Sequence, residues 1–175
     1  MLPFVTLLLV AVPMLLETHR SRANERTLRA AGAIEPPHDV YPVMRIVYPT
    51  IFVAMIVEGA LQQVTWGTRL AAGGLFVFIL AKALKYAAIA TLGPRWTFRV
   101  LVPPGSRPTR RGVYRWLRHP NYLGVMGEII GVALMMSALV TGLVSSVLFA
   151  AILKRRILVE EQALGEVGDK VTSEE

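Results

Sequence analysis

Apolar runs alternate with polar, arginine-rich stretches along this chain, and the alternation predicts an all-α bundle of about five membrane-spanning helices. Leu2 to Leu16 is apolar except for Pro3, Thr6 and Pro13. Arg20, Arg22, Arg26 and Arg29 follow this run instead of preceding it. With no basic n-region and no clear small-residue cleavage site, it reads as a retained first helix with its N-terminus outside, not as a signal peptide. Glu17 to Asp39 reads as a surface helix ending in a turn at Gly32 and Pro36-Pro37. The second span is predicted over Ile46 to Leu61, entered at Pro42, with Pro49 tolerable inside a packed bundle. Near its far end, Glu58 is expected to be an interfacial carboxylate beside Arg69. Leu70 to Leu92 is the clearest span, close to the roughly 20 apolar residues that cross a bilayer. Its Lys82 and Lys85 share one helical face and either snorkel or line a polar cavity. Tyr122 to Leu139 and Val140 to Leu158 are predicted to form a helical hairpin, with Ser137, Thr141 and Gly142 marking the turn. Gly124, Gly127 and Gly131 favour close packing of the fourth span. Gly165 to Glu175 is polar and expected to fray.

The longest irregular stretch is Gly93 to Pro120, where Pro94, Pro103, Pro104, Gly105, Pro108 and Gly112 prevent a long helix. It carries Arg95, Arg99, Arg107, Arg110, Arg111, Arg115 and Arg118 and no acid. Basic residues thus concentrate at 20–29, 93–118 and 154–156, and the positive-inside rule puts all three regions on the cytoplasmic face. Dropping the first span leaves the same regions inside. Composition agrees: 54% of the 175 residues are hydrophobic and 18% are charged, against about 25% charged in soluble domains. The net charge of +7 then follows from this asymmetry, with anionic membrane lipid as the partner and no nucleic acid. The absence of cysteine excludes disulfides, thiolate metal sites and a cysteine nucleophile. His19, His38 and His119 are too widely spaced for a local metal motif, so no metal is expected. No linker divides the chain, which reads as one domain over 1–175 with its functional core in 93–165.

Two polar clusters bracket the predicted hairpin and would meet at one membrane face: residues 112–124 and 154–161. Pro120 disfavours α geometry at His119 and can itself begin a helix. That helix start would offer N–H groups and a positive dipole end beside Arg118 and His119, a setting that holds carboxylates and phosphates. Tyr114, Trp116 and Tyr122 add flat surfaces and donors. A ligand with a carboxylate and an aromatic base fits this inventory, and so does a patch of anionic headgroups. Glu128, two turns into the fourth span, is either a catalytic candidate with Lys85 as partner or a protonated carboxyl bonded to a neighbouring helix. Arg156 either orients a substrate oxyanion or pairs with Glu160.

The run Gly112-Val113-Tyr114-Arg115-Trp116-Leu117-Arg118-His119-Pro120-Asn121-Tyr122-Leu123-Gly124, followed by a hairpin and Arg156-Ile157-Leu158-Val159-Glu160-Glu161, resembles the isoprenylcysteine carboxyl methyltransferase family. The family pattern reads G-x-Y-R-x-x-R-H-P-x-Y-x-G, then R-x-x-x-E-E. The resemblance implies a small multi-span enzyme that binds S-adenosylmethionine at the cytosolic face. It places the cofactor around Tyr114, His119, Pro120, Tyr122 and Glu161, with Arg118 and Glu160 close by and Arg156 and Glu128 as catalytic candidates. Upstream, Asn24-Glu25-Arg26 and Ala90-Thr91-Leu92-Gly93-Pro94-Arg95-Trp96-Thr97 resemble the bacterial branch that methylates alkylpyrones and alkylresorcinols. The implied activity is O-methylation of a lipophilic hydroxyl or carboxylate, such as an alkylpyrone, an alkylresorcinol or a prenylcysteine, in a bacterial inner membrane. One departure stands out: family members commonly carry further tyrosines beyond the glutamate pair, and Gln162 to Glu175 has none. Either the lid over the cofactor is reduced or another element covers it. Membrane sterol reductases, which bind NADPH, share R-H-P-N-Y-x-G including Asn121. A non-enzymatic protein binding anionic lipid through its basic loop is the third class.

Overall fold

A computed structural model describes the backbone of residues 1–106 and 108–173, and side chains through Ala163 except Arg107. The described chain is a bundle of five helices: α1 (Leu2–Ala30), α2 (Tyr41–Leu61), α3 (Arg69–Leu92), α4 (Pro120–Met135) and α5 (Leu139–Ser173). Single 3-10 turns occupy Gly93–Arg95 and Gly112–Arg115. The one pairing of extended backbone among the described residues is an antiparallel bridge between Ile34 and Val102. Helices α1, α2 and α3 are each long and apolar enough to cross a membrane. With 16 residues, α4 is the short member; at about 1.5 Å per residue it falls below the roughly 30 Å hydrocarbon core. It pairs with α5 as the expected hairpin. The fraying expected of 165–175 falls outside the described residues, apart from the backbone of α5 to Ser173.

The helix boundaries follow local chemistry. Helix α1 is continuous to Ala30, not a span followed by a separate surface helix. Glu, Arg and Ala are good helix formers, and the buried Glu17, Ser21 and Leu28 give its polar half inward contacts. The chain breaks only at Gly32, whose φ of +80° suits glycine. Helix α2 begins earlier than expected, at Tyr41, whose N–H donates to Asp39 Oδ1. Pro42 falls in its first turn, where a missing N–H costs little. Thr68 caps α3 by accepting the Ala71 N–H. The hairpin turn lies at 136–138, with Ser137 at φ +52°. Thr141 and Gly142 belong to the first turn of α5. There Glu58 accepts the Thr141 N–H at 3.2 Å, so it caps α5 and does not pair with Arg69.

Helices α3 and α4 form the most extensive contact, and glycines set their separation. A Cβ on Gly131 would lie 2.7 Å from the Phe78 backbone nitrogen, and one on Gly74 2.3 Å from that of Met135. The apolar core of Phe52, Met55, Phe78, Ile129, Val132, Met135 and Phe149 joins α2, α3, α4 and α5. Large apolar side chains such as Phe4, Val53, Phe76 and Val147 face outward, as lipid-facing surfaces require. The second half of α1, the α1–α2 linker, the 93–119 loop, the start of α4 and the extension of α5 gather at one end. This basic end carries the site.

Candidate functional site

A four-charge cluster lies beneath the basic end. Glu17 of α1 and Glu128 of α4 alternate with Lys82 and Lys85 of α3. Lys82 Nζ lies 3.0 Å from Glu17 Oε1 and 3.1 Å from Glu128 Oε2. Lys85 Nζ lies 2.6 Å and 3.2 Å from their other oxygens. Among the described residues, those two oxygens have charge proximity without a well-directed hydrogen bond. The Tyr48 hydroxyl of α2 donates to Glu128 at 2.7 Å. Two ammoniums and two carboxylates cancel, which is how four buried charges coexist. Lys85 does meet Glu128, but Glu17, which read as part of a surface helix, is an equal partner.

Above the cluster, α1 anchors the long loop. Asn24 donates to the carbonyls of Gly93 and Trp96, and the Phe98 N–H donates to Ser21 Oγ at 2.8 Å. Asp39 accepts the Val100 N–H at 3.0 Å. Trp96 is buried, and its Nε1 donates to Asn121 Oδ1. Residues 96–102 are thereby drawn inward to form a wall. Further out, Glu35 bridges Arg29 and Arg99. Burial alone would raise its pKa, but hydrogen bonds from Arg29 and Arg99 hold its carboxyl below the ordinary value.

Three pockets lie around the wall. An outer basin of about 1210 Å³ is lined by Tyr114, Arg118, His119, Glu160 and Glu161, with Arg95, Ser106, Thr109 and Arg110 from the loop. An inner chamber of about 100 Å³ shares Tyr114, His119 and Glu160 with the basin and adds Tyr122 and Arg156. A side pocket of about 210 Å³ shares Asn121, Tyr122 and Arg156 with the chamber and extends along α1 and α2.

Within the basin, Glu161 Oε1 lies 3.3 Å from both Arg118 and His119 Nε2. The His119 ring stacks on Tyr122 at 5.5 Å. Burial, then the charge of Glu160, pushes the Tyr114 phenol far above its ordinary value, so it remains a neutral donor. Tyr114 rides on the Gly112–Arg115 turn. A Cβ on Gly112, at φ +52°, would stand 2.4 Å from Thr91 Oγ1, so the turn needs glycine. The helix start offers fewer donors than expected: His119 O already accepts the N–H groups of Tyr122 and Leu123.

Arg156 is buried at the junction of chamber and side pocket. It pairs with Asp39, donates to Phe98 O at 2.6 Å and donates through Nε to the Tyr122 hydroxyl at 3.3 Å. That hydroxyl donates to Glu160 Oε2 at 2.5 Å. The expected Arg156–Glu160 pair is therefore replaced by a relay running Asp39, Arg156, Tyr122, Glu160.

Six of the seven residues singled out for the cofactor line these spaces: Tyr114, Arg118, His119, Tyr122, Glu160 and Glu161. Pro120 is fully buried where α4 begins. Glu128 belongs to the four-charge cluster and lines none of the three spaces. Asp39 and the 96–102 wall were missed. The only sequence signal for either was the Asn24 and Trp96 motifs, which turn out to touch each other. Among the described residues, Arg95, Leu101, Ser106, Pro108, Thr109 and Arg110 of the loop line the basin. Among the described residues no cluster suits a metal ion.

Comparison with known proteins gives a separate line. The model of the isoprenylcysteine carboxyl methyltransferase (ICMT) family matches residues 74–166. YpbQ of Bacillus subtilis, an uncharacterized protein, is 33% identical over 153 residues, covering 86% of this chain and 89% of its own length. An uncharacterized protein of Haemophilus influenzae is 30% identical over 148 residues, covering 84% and 86%. The protein-S-isoprenylcysteine O-methyltransferase of Mus musculus is 34% identical over 86 residues, which is 48% of this chain and 29% of the mouse enzyme. No solved structure matches at a significant level.

Proposed function

This chain belongs to the isoprenylcysteine carboxyl methyltransferase family, a family of membrane methyltransferases, and from that premise we propose that it methylates an ionisable oxygen of a lipophilic acceptor using S-adenosylmethionine. The acceptor we favour is an alkylated pyrone or a resorcinol-type phenol, with prenylcysteine as the alternative. The setting is a bacterial inner membrane with the basic end on the cytoplasmic face. The observation that carries this reading is the adjacency of the pockets. The polar basin shares Tyr114, His119 and Glu160 with the chamber, and the chamber shares Tyr122 and Arg156 with a largely apolar side pocket.

The residues present fit the cofactor. The basin is ample, and the carboxylate of Glu161, 41% exposed, can accept from ribose hydroxyls or an ammonium. The stacked His119 and Tyr122 rings and the neutral Tyr114 phenol offer surfaces and donors for an aromatic base. Bound there, the cofactor supplies a methyl group on a sulfonium, which demands in-line alignment with the attacking oxygen. Arg156 and Tyr122 hold the acceptor head at the junction, their geometry fixed by Asp39 and Glu160. Glu128 acts at a distance, neutralising Lys82 and Lys85 with Glu17. An acidic enol or carboxylate needs no strong base.

Calorimetry on the purified protein tests this against the other two classes. S-adenosylhomocysteine should bind and NADPH should not. His119→Ala and Glu161→Gln should each weaken binding about tenfold or more, the equivalent of a charge-assisted hydrogen bond worth about 1.5–3 kcal/mol. Unchanged affinity in both folded variants, or binding of NADPH alone, overturns the assignment.

A further inference from the structure

The side pocket has a charge pattern that the methyl-transfer reading does not use. Among the described residues four cations line it, Arg22, Arg45, Lys85 and Arg156, and no carboxylate does. Two of the four are neutralised locally: Lys85 by Glu17 and Glu128, and Arg156 by Asp39. Arg22 of α1 and Arg45 of α2 form no ion pair among the described residues, and both are exposed at the outer rim. Behind them the pocket turns apolar, with Met44, Pro49, Val125 and Phe149. Both arginines lie outside the 74–166 stretch matched by the family model.

We propose that Arg22 and Arg45 form an anion-selective gate between α1 and α2 that admits single-chain amphiphiles whose head is already ionised. This deepens the methyltransferase reading and rests on it. A guanidinium pair at the rim attracts an anionic head and gives a neutral one no matching gain. The apolar interior then takes the first part of the tail. At about 210 Å³ the pocket is smaller than the roughly 300–1,000 Å³ that encloses a drug-sized ligand, so it suits one chain and not the two of a phospholipid. With no carboxylate or histidine among the described residues of its lining, the pocket itself offers no base. The acceptor's proton is therefore lost to water before the head passes the rim, and the oxyanion reaches Tyr122 and Arg156 ready to attack. Of the proposed acceptors, the gate thus favours the acidic pyrone enol or a carboxylate over a neutral phenol or alcohol.

The test uses the full chain in nanodiscs of zwitterionic lipid, saturated with S-adenosylhomocysteine. Hexadecanesulfonate, permanently anionic, and hexadecanol, neutral with the same tail, are titrated by calorimetry. The wild type should bind the sulfonate at least about tenfold more tightly, as one charge-assisted hydrogen bond supplies. The Arg22→Gln/Arg45→Gln double variant should lose that preference while keeping its affinity for hexadecanol and S-adenosylhomocysteine. The double lysine variant, which keeps the charge, should retain most of it. Equal binding of the two probes by the wild type overturns the gate, as does a preference that survives the glutamine pair. Displacement of the sulfonate by equimolar phosphatidylglycerol also overturns it, because the rim would then be a phospholipid clamp. Binding of S-adenosylhomocysteine in the same samples shows whether the methyltransferase reading stands when the gate fails.

Discussion

At the scale of single residues, Arg156 decides how the site holds its shape. Its guanidinium has acceptors on three sides, Asp39, Phe98 O and the Tyr122 hydroxyl, and no other side chain presents donors in that planar fork. Asp39→Asn should therefore leave a buried cation without its counter-charge, costing on the order of 3–5 kcal/mol. Thermal unfolding in detergent would show it, and an Asp39→Asn protein as stable as wild type would disprove the ion pair's importance. The sequence made Arg156, Glu160 and Glu161 legible because they share one helix and one motif. Asp39 was illegible for the opposite reason. It is a carboxylate in a proline-containing linker with no local cation beside it, and its partner lies 117 positions away. Local spacing pointed Arg156 at Glu160, but Glu160 is already taken by Tyr122.

At the scale of elements, the α3–α4 contact depends on the absence of side chains. Gly131→Ala would push a methyl into the backbone of Phe78, which cannot swing away. The expected cost is about 1–3 kcal/mol, typical of overpacking. Gly73→Ala is the matched control: nothing lies within 4 Å of its added methyl, and alanine should raise stability by about 0.5–1 kcal/mol through helix propensity. Parallel unfolding curves on the two variants separate close packing from propensity, and a stable Gly131→Ala protein would contradict the packing account. The glycine spacing of α4 was visible in sequence, as were all five helices, because apolar length and glycine periodicity are local signals. The extents of α1 and α2 were not. Composition turns polar at Glu17, whereas the helix continues because tertiary partners receive its polar face.

At the scale of the whole molecule, the basic end is fastened by ion pairs between segments distant in sequence. Glu35 of the α1–α2 linker joins Arg29 of α1 to Arg99 of the long loop. Because the folded carboxyl titrates below its ordinary value of 4.5, its contribution is complete above that value and fades as pH falls through the lowered one. Wild type should thus lose stability below about pH 4.5 faster than Glu35→Gln, whose side chain does not titrate. Unfolding midpoints measured from pH 6 down to pH 3 would reveal the convergence, and parallel curves would rule out the linkage. This fastening was hidden from sequence reading, which saw the 93–118 loop as a cationic surface and could not see which acids reach it. The four-charge cluster has a further consequence, for biogenesis. Helix α3 emerges with Lys82 and Lys85 on one face, and each ammonium opposes partition into lipid by about 2.5–3.5 kcal/mol near a span's centre. Glu17 in the earlier α1 can offset part of that burden, and Glu128 completes the neutralisation only when α4 follows. Lipid exposure of α3 alone therefore carries a cost that contact with α1 and then α4 removes, which favours their assembly over the separate release of α3 into lipid.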